Sequence, residues 1–136
     1  MKKNKILVIG GCGFMGSHLV DELIKANYNV TVLDISKNFI NNKAKYIIGD
    51  IMNKAFLDKT INKYNIIYNF AGLADIKECD LNPKLAFDLN VIGNLNILSS
   101  ILKSKIKIER YVFASSLYVY SKFGGIYRCS KQASEI

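Results

Sequence analysis

Tyr127 and Lys131 stand four residues apart in the run IYRCSKQASEI. On a helix that spacing puts a phenol and an ammonium on one face, a single turn apart. An ammonium favours the phenolate, drawing the tyrosine pKa from about 10 towards working pH. Such a tyrosine can exchange a proton with a hydroxyl while hydride leaves or joins the same carbon. Ser115 and Ser116 end the apolar run RYVFASS, where a serine could hold the reacting oxygen.

A second chemical feature lies near the start. Gly10, Gly13 and Gly16 form G-x-x-G-x-x-G between the apolar run KILVIG and a helical pattern from Phe14. The first glycine permits a sharp turn and the second lets backbone N–H groups approach a pyrophosphate. The third lets the helix pack close to a sheet, with its positive end towards the phosphates. Asp34 ends the run NVTVLD, eighteen residues after Gly16. An acidic residue there accepts hydrogen bonds from adenosine ribose hydroxyls. It also repels a 2′-phosphate, so NAD is favoured over NADP, with Lys37 moderating the preference. A tight turn, and a turn residue at a strand end, are the plain structural readings of the glycines and of Asp34.

Both features need a scaffold, and the pattern supplies strands alternating with helices. KILVIG, NVTVLD, KYIIGD, NIIYNFAG and RYVFASS read as five strands. Apolar residues at Phe14, Met15, Leu19, Val20, Leu23 and Ile24 mark one face of the first helix, stopped at Asn27. Asn53 caps a second helix carrying Phe56, Leu57 and Ile61. Asn82 and Pro83 start a third of about twenty residues, its apolar face at Leu85, Leu89, Ile92, Leu95 and Ile101. A further helix begins at Tyr127. Such alternation predicts right-handed crossovers and a doubly wound parallel α/β sheet, in one domain over residues 1–136. The fifth strand is expected at an open edge.

Composition narrows the partners. The chain has 136 residues, half of them hydrophobic, and a formal net charge of +8. Its lysines are scattered (Lys2, Lys3 and Lys5, Lys43 and Lys45, Lys103, Lys105 and Lys107), with Arg110 and Arg128 the only arginines. A solvated lysine-rich surface accounts for them better than nucleic-acid binding does. Cys12, Cys79 and Cys129 have no paired spacing, and the lone His18 does not complete a metal site with them. Reduced thiols suit the cytoplasm. The apolar run Ile6–Ile9 is too short for a secretory core, and no stretch is expected to approach a membrane span.

With these residues in place, the chain resembles the N-terminal part of an extended short-chain dehydrogenase/reductase, of the NAD-dependent epimerase/dehydratase family that includes nucleotide-sugar epimerases. IGGCGFMGSHLVDEL matches the family's cofactor loop, which brings Phe14 and Met15 into the expected cofactor set. GDI matches its adenine-side motif, implying that Asp50 meets the adenine and Ile51 packs on it. NFAG resembles the strand end along the cofactor, with Ala71 and Gly72, and NVIGNLNIL the helix whose Asn90 faces the active site. ASSLYVYS places the family's catalytic hydroxyl at Ser116, and YRCSK supplies Tyr127 and Lys131. The resemblance implies proton exchange at Tyr127, activation by Lys131, substrate-oxygen binding by Ser116 and a nucleotide-sugar substrate. It also implies a possible homodimer through the helix from Pro83 in a longer protein.

Several residues depart from the family pattern. Ser116 and Tyr127 are eleven apart, a short interval, with SKFGGI in place of the usual sugar-side loop. Ser121 replaces a glycine and Gly72 an alanine. Leu117 and Tyr118 occupy the places of the dehydratases' Asp-Glu pair, which points to epimerisation or carbonyl reduction instead of dehydration. The family's Tyr/Lys helix lies mid-chain, so the sequence is expected to be a fragment lacking the C-terminal substrate lobe. The alternative is a non-catalytic dinucleotide-binding module, a sensor or scaffold; the intact Tyr-x-x-x-Lys pair weighs against it.

Overall fold

A computed structural model describes residues 4–38 and 41–135. Lys2 and Lys3, and the middle of the connection after the second strand, lie outside the described residues. Five parallel strands, β1 (Lys5–Ile9), β2 (Asn29–Asp34), β3 (Lys45–Ile48), β4 (Ile66–Asn69) and β5 (Arg110–Phe113), form one sheet in the order β3-β2-β1-β4-β5. β1 is central, with Val8 in register with Val32 of β2 and Tyr68 of β4. As expected, β5 lies at the edge, paired among the described residues only with β4.

β1 shows why both faces must be covered. Its side chains alternate, so Ile6 and Val8 point to one face while Leu7 and Ile9 point to the other. On the first face α1 (Phe14–Lys25) covers them with Val20 and Leu23. On the second, α2 (Lys54–Ile61) contributes Leu57 and Ile61, and Ile97 comes from the long helix described below. Asn53 caps α2, its side chain accepting from the Phe56 N–H at 3.0 Å. Asn27 takes the left-handed conformation, φ 61°, after α1. At the other end of α1 the outcome differs: Phe14 and Met15 are 79% and 62% exposed. Gly16 occupies the buried position of that turn, because the helix there lies directly on the glycine loop.

The long helix has three parts: α4 (Pro83–Phe87), a π-helical turn at Asp88–Ile92, and α5 (Gly93–Leu102). Proline sits at its first turn as expected, but the Asn82 side chain makes no cap and donates to Glu78 at 2.6 Å. That glutamate belongs to α3 (Ile76–Leu81), a short helix absent from the sequence reading. Its start was marked by Asp75 and Glu78, a capping-box spacing, and the Asp75 carboxylate accepts from the Glu78 N–H at 2.8 Å.

The expected apolar face of the long helix is corrected. Leu85, Ile92 and Leu95 are exposed, while Ala86, Asn90, Gly93, Asn94, Ile97 and Ser100 turn inward. The inward positions keep a three- or four-residue spacing through the π turn, and Leu85 is already exposed before it. Small residues then allow close approach: a Cβ at Gly93 would lie 2.3 Å from Ile51 Cδ1. Pro83–Leu102, 20 residues with a window of mean hydropathy 1.4, is long and apolar enough to cross a membrane, contrary to expectation. Its inward amides bond to β4 and to the C-terminal helix, and its inward Ser100 to Asp58 of α2, so the face turned into the protein is polar in part.

Asn94 binds the sheet edge. The Tyr111 hydroxyl donates to Asn94 Oδ1, while Asn69 Nδ2 donates to both the Tyr111 oxygen, at 3.0 Å, and Asn94 Oδ1, at 3.1 Å. Burial pushes the Tyr111 phenol up to about 12, only partly countered by the Asn69 hydrogen bond. Tyr111→Phe removes one donor and one acceptor from this cluster without a large volume change. It should cost about 1–2 kcal/mol of stability, read as a lower urea midpoint with an unchanged slope.

Candidate active site

The glycine loop is the floor of a cleft of about 400 Å³ above the C-terminal ends of β1, β2 and β4. Gly10 leaves β1 with φ +76°, and its N–H donates to Leu33 O at 2.8 Å. A Cβ on Gly10 would lie 2.5 Å from the Ala71 nitrogen, and one on Gly16 2.3 Å from the Gly10 oxygen. Gly13 is different. A Cβ there would meet only the Gly10 oxygen, at 3.4 Å, an ordinary contact. The protein's own packing therefore leaves the space over Gly13 open for another molecule. Gly13 is also the N-cap of α1, whose first turn has no side-chain cap and no acidic residue, so its N–H end suits an anion.

Asp34 closes one side of the cleft from the end of β2. Its Oδ2 accepts from the Cys12 N–H and its Oδ1 from the Ser36 N–H, both at 2.9 Å. Two backbone donors thus hold the carboxylate in one orientation. Burial raises the Cys12 thiol pKa, and the adjacent Asp34 carboxylate adds to the rise. Asp50, Ile51, Ala71 and Gly72, to which the resemblance gives cofactor contacts, line the cleft. Asp50 also accepts the Met52 N–H at 2.9 Å, and Ile51 is buried against α5.

Six residues expected at the cofactor, Phe14, Met15, Gly16, Asn90, Tyr127 and Lys131, are not among those lining the cleft. Phe14 and Met15 do not line the cleft, because the first turn of α1 carries them outward. Asn90 is buried behind it. Its Oδ1 accepts from the Leu73 N–H at 2.7 Å, and its Nδ2 donates to Leu73 O and to Ser130 Oγ. That asparagine is a brace for the segment after β4, and Leu89 lines the cleft in its place. Ser36 and Leu89 are lining residues that the sequence does not assign to the cofactor. Only Ser36 carried a signal, the Asx-type turn of an aspartate two residues before it.

Tyr127 and Lys131 lie on α6 (Gly125–Ser134), both buried on its inner face. Two positive-φ glycines, Gly124 and Gly125, turn the chain into this helix, and Asp80 of α3 accepts the Ile126 N–H at 3.0 Å. Lys131 Nζ donates to Ala114 O at 3.0 Å and lies 4.8 Å from the Phe113 ring centroid and 5.9 Å from that of Tyr127. Burial lowers the Lys131 pKa, with Cys79 a lesser influence in the opposite direction. A Cβ on Gly72, which lines the cleft, would stand 3.9 Å from Lys131 Nζ and 2.4 Å from Asn90 Oδ1. The lysine head therefore borders the cleft, and the Asn90 brace leaves no room there for an alanine.

Of the two serines after β5, Ser115 hydrogen-bonds the Glu135 carboxylate. Ser116 caps a 3₁₀ turn at Leu117–Tyr120, its Oγ accepting from the Tyr118 N–H at 3.3 Å. That bond uses a lone pair of Ser116 and not its proton. Tyr118 meets Tyr127 edge to face, with ring centroids 6.1 Å apart. A phenol, a buried ammonium and a strand-end hydroxyl thus occupy one corner of the fold, and the ammonium borders the cleft.

The strand order and the glycine turn under the C-terminal strand ends define a Rossmann-type domain. Residues 6–135 match the profile of the NAD dependent epimerase/dehydratase family. The chain belongs to that family. It is 42% identical over 117 residues to a provisionally named UDP-glucose 4-epimerase of Methanocaldococcus jannaschii, covering 82% of this chain and 37% of the relative. It is 32% identical to a bifunctional UDP-glucose and UDP-xylose 4-epimerase of Pisum sativum, covering 87% of this chain and 38% of the relative. The crystal structure of a UDP-glucose 4-epimerase from Brucella ovis in complex with NAD superposes with TM-score 0.86 at 26% identity. That match covers 97% of this chain and 46% of the Brucella chain. The chain therefore spans under half the length of these relatives.

Proposed function

We propose that this chain is the cofactor-binding part of an NAD-dependent nucleotide-sugar epimerase, acting on a UDP-hexose. The observation carrying this reading is that Lys131 Nζ, buried beside Tyr127, borders the cleft whose floor is the glycine loop. The open space over Gly13 and the uncapped first turn of α1 fit a pyrophosphate, and the fixed Asp34 carboxylate fits ribose hydroxyls. Bound NAD would supply a reversible hydride acceptor. Tyr127 would take the proton of the sugar hydroxyl and return it, Lys131 would favour the phenolate, and Ser116 would donate to the sugar oxygen. Phe70, Ala71 and Leu89 line the cleft with apolar surface that limits water. The three cysteines are free, which supports a cytoplasmic setting. The homodimer implied by the family resemblance would use the exposed Leu85, Ile92 and Leu95.

Calorimetric titration of this chain with NADH and NADPH tests the cofactor half of the reading. NADH should bind more tightly, by about tenfold or more, since a 2′-phosphate would face the Asp34 carboxylate. Asp34→Ser should erase most of that preference. Equal binding of both cofactors by the unaltered chain would remove Asp34 from the role. Interconversion of UDP-glucose and UDP-galactose tests the epimerase half, and its absence in the protein carrying this chain would reject it.

A further inference from the structure

The interval between Ser116 and Tyr127 is short, and α6 carries a second pair of residues at the spacing of Tyr127 and Lys131, one position along. Arg128 Nη1 donates to Ser121 O at 2.9 Å, and Gln132 Nε2 donates to Val119 O at 2.7 Å. One residue of advance rotates a helical side chain by about 100°, so the two pairs form neighbouring stripes on α6. We infer that Arg128 and Gln132 are positioning residues: a two-point clamp that fixes the turn carrying Ser116 onto the helix carrying Tyr127 and Lys131.

The chain of bonds is short. Gln132 holds the Val119 carbonyl, and the N–H of Val119 donates to Ser116 O at 3.2 Å. Arg128 holds the Ser121 carbonyl, and the Ser121 N–H donates to Tyr118 O at 3.0 Å. Each clamp bond thus lies one peptide unit from a bond that closes the Ser116 turn. Val119 is buried and Tyr118 meets the Tyr127 ring edge to face, which gives the turn two apolar anchors. Leu117, Tyr120 and Phe123 are largely exposed. Gly124 and Gly125, with φ +97° and +45°, reverse the chain between turn and helix, and the two donors reaching back add directional bonds to those contacts. Arg128 Nε is buried with no hydrogen-bond partner, an expense that places the guanidinium for the Ser121 carbonyl and not for its own solvation.

The role in turnover rests on the epimerase reading, whereas the clamp itself does not. The variants are Arg128→Met and Gln132→Met, which keep length and remove the donor, with Arg128→Lys as the conservative variant. Amide hydrogen exchange is read in this chain at Val119 and Ser121, and turnover in the protein carrying it. The expected result is exchange at least tenfold faster at those two amides in each Met variant, with β1 and α1 unchanged. Turnover should fall about tenfold or more through kcat, NADH affinity should stay within about twofold, and Arg128→Lys should recover part of the loss. Unchanged exchange at both amides overturns the clamp, whether or not the protein turns over. Faster exchange with unchanged kcat overturns the positioning role. A protein without epimerase activity rejects the proposed function, and the exchange result alone then decides the clamp.

Discussion

Tyr127→Phe will lower turnover by about 10²–10⁴-fold while leaving NADH affinity nearly unchanged. The substitution removes one oxygen from a ring packed among Cys79, Ala86 and the edge of Tyr118, so the packing survives. What disappears is the hydroxyl to which the proposed function assigns proton exchange with the substrate. Lys131→Met should abolish turnover to a similar extent, with the opposite consequence for stability. Lys131 is 6% exposed, and burial disfavours its charge. Its pKa in the folded chain lies below the ordinary 10.5, so in the window between the two the unfolded chain binds more protons. Stability therefore rises with pH through that window, and below it the penalty for burying the charge is fully present. Methionine removes the penalty, although it also removes the bond to Ala114 O. At neutral pH the variant should be about 1 kcal/mol more stable, and its alkaline stability gain should vanish. Thermal melts from pH 7 to 11 beside single-turnover kinetics would read both effects, and a Lys131→Met chain that is both active and less stable would refute the account.

The other large effect is expected at the start of the chain. Gly10→Ala should destabilise the domain by at least about 3 kcal/mol and abolish NADH binding. Two costs add at this position. The backbone has φ +76°, where a Cβ meets its own carbonyl, and the new methyl would stand 2.5 Å from Ala71 N and 2.7 Å from Phe70 C. Neither neighbour is the end of a flexible side chain. Relief would have to come from separating β1 and β4 at the strand ends that floor the cleft, joined there by the Phe70 N–H to Ile9 O bond of 2.8 Å. Gly13→Ala makes the informative comparison. It meets no such neighbour, so the fold should keep its stability while NADH binding falls. Denaturant unfolding and calorimetry on the two variants separate the glycine that the fold needs from the glycine that the ligand needs.

The parallel sheet, its order and most of its covering helices were legible because β1 and β2 are short apolar runs ended by glycine or aspartate. The loop and Asp34 were legible for a related reason: their chemistry is local to one turn between a strand and a helix. The inner face of the long helix was not legible. Its inward positions are filled by Ala86, Asn90, Gly93 and Asn94 more than by large apolar residues, and an amide such as Asn94 reads as surface until its partners are known. Phe14 and Met15 turn outward on α1, where Gly16 takes the buried place because a Cβ there would stand 2.3 Å from the Gly10 oxygen. The clamp was hidden because Arg128 and Gln132 bind carbonyls, which no sequence pattern displays.

The way α6 is held has a consequence for local motion. Of its four buried residues, Ser130, Lys131 and Ser134 are polar and only Tyr127 carries a large apolar surface. Its docking rests on Asn90 to Ser130 Oγ, Ser134 Oγ to Asn90 O, and Asn94 to Ser134 O. Separating this helix from the rest would therefore uncover little hydrocarbon, and denaturants, which act in proportion to newly wetted surface, would hardly promote it. The helix is latched by directional bonds. It is released by misalignment of a few amides, and it returns to one registry when they realign.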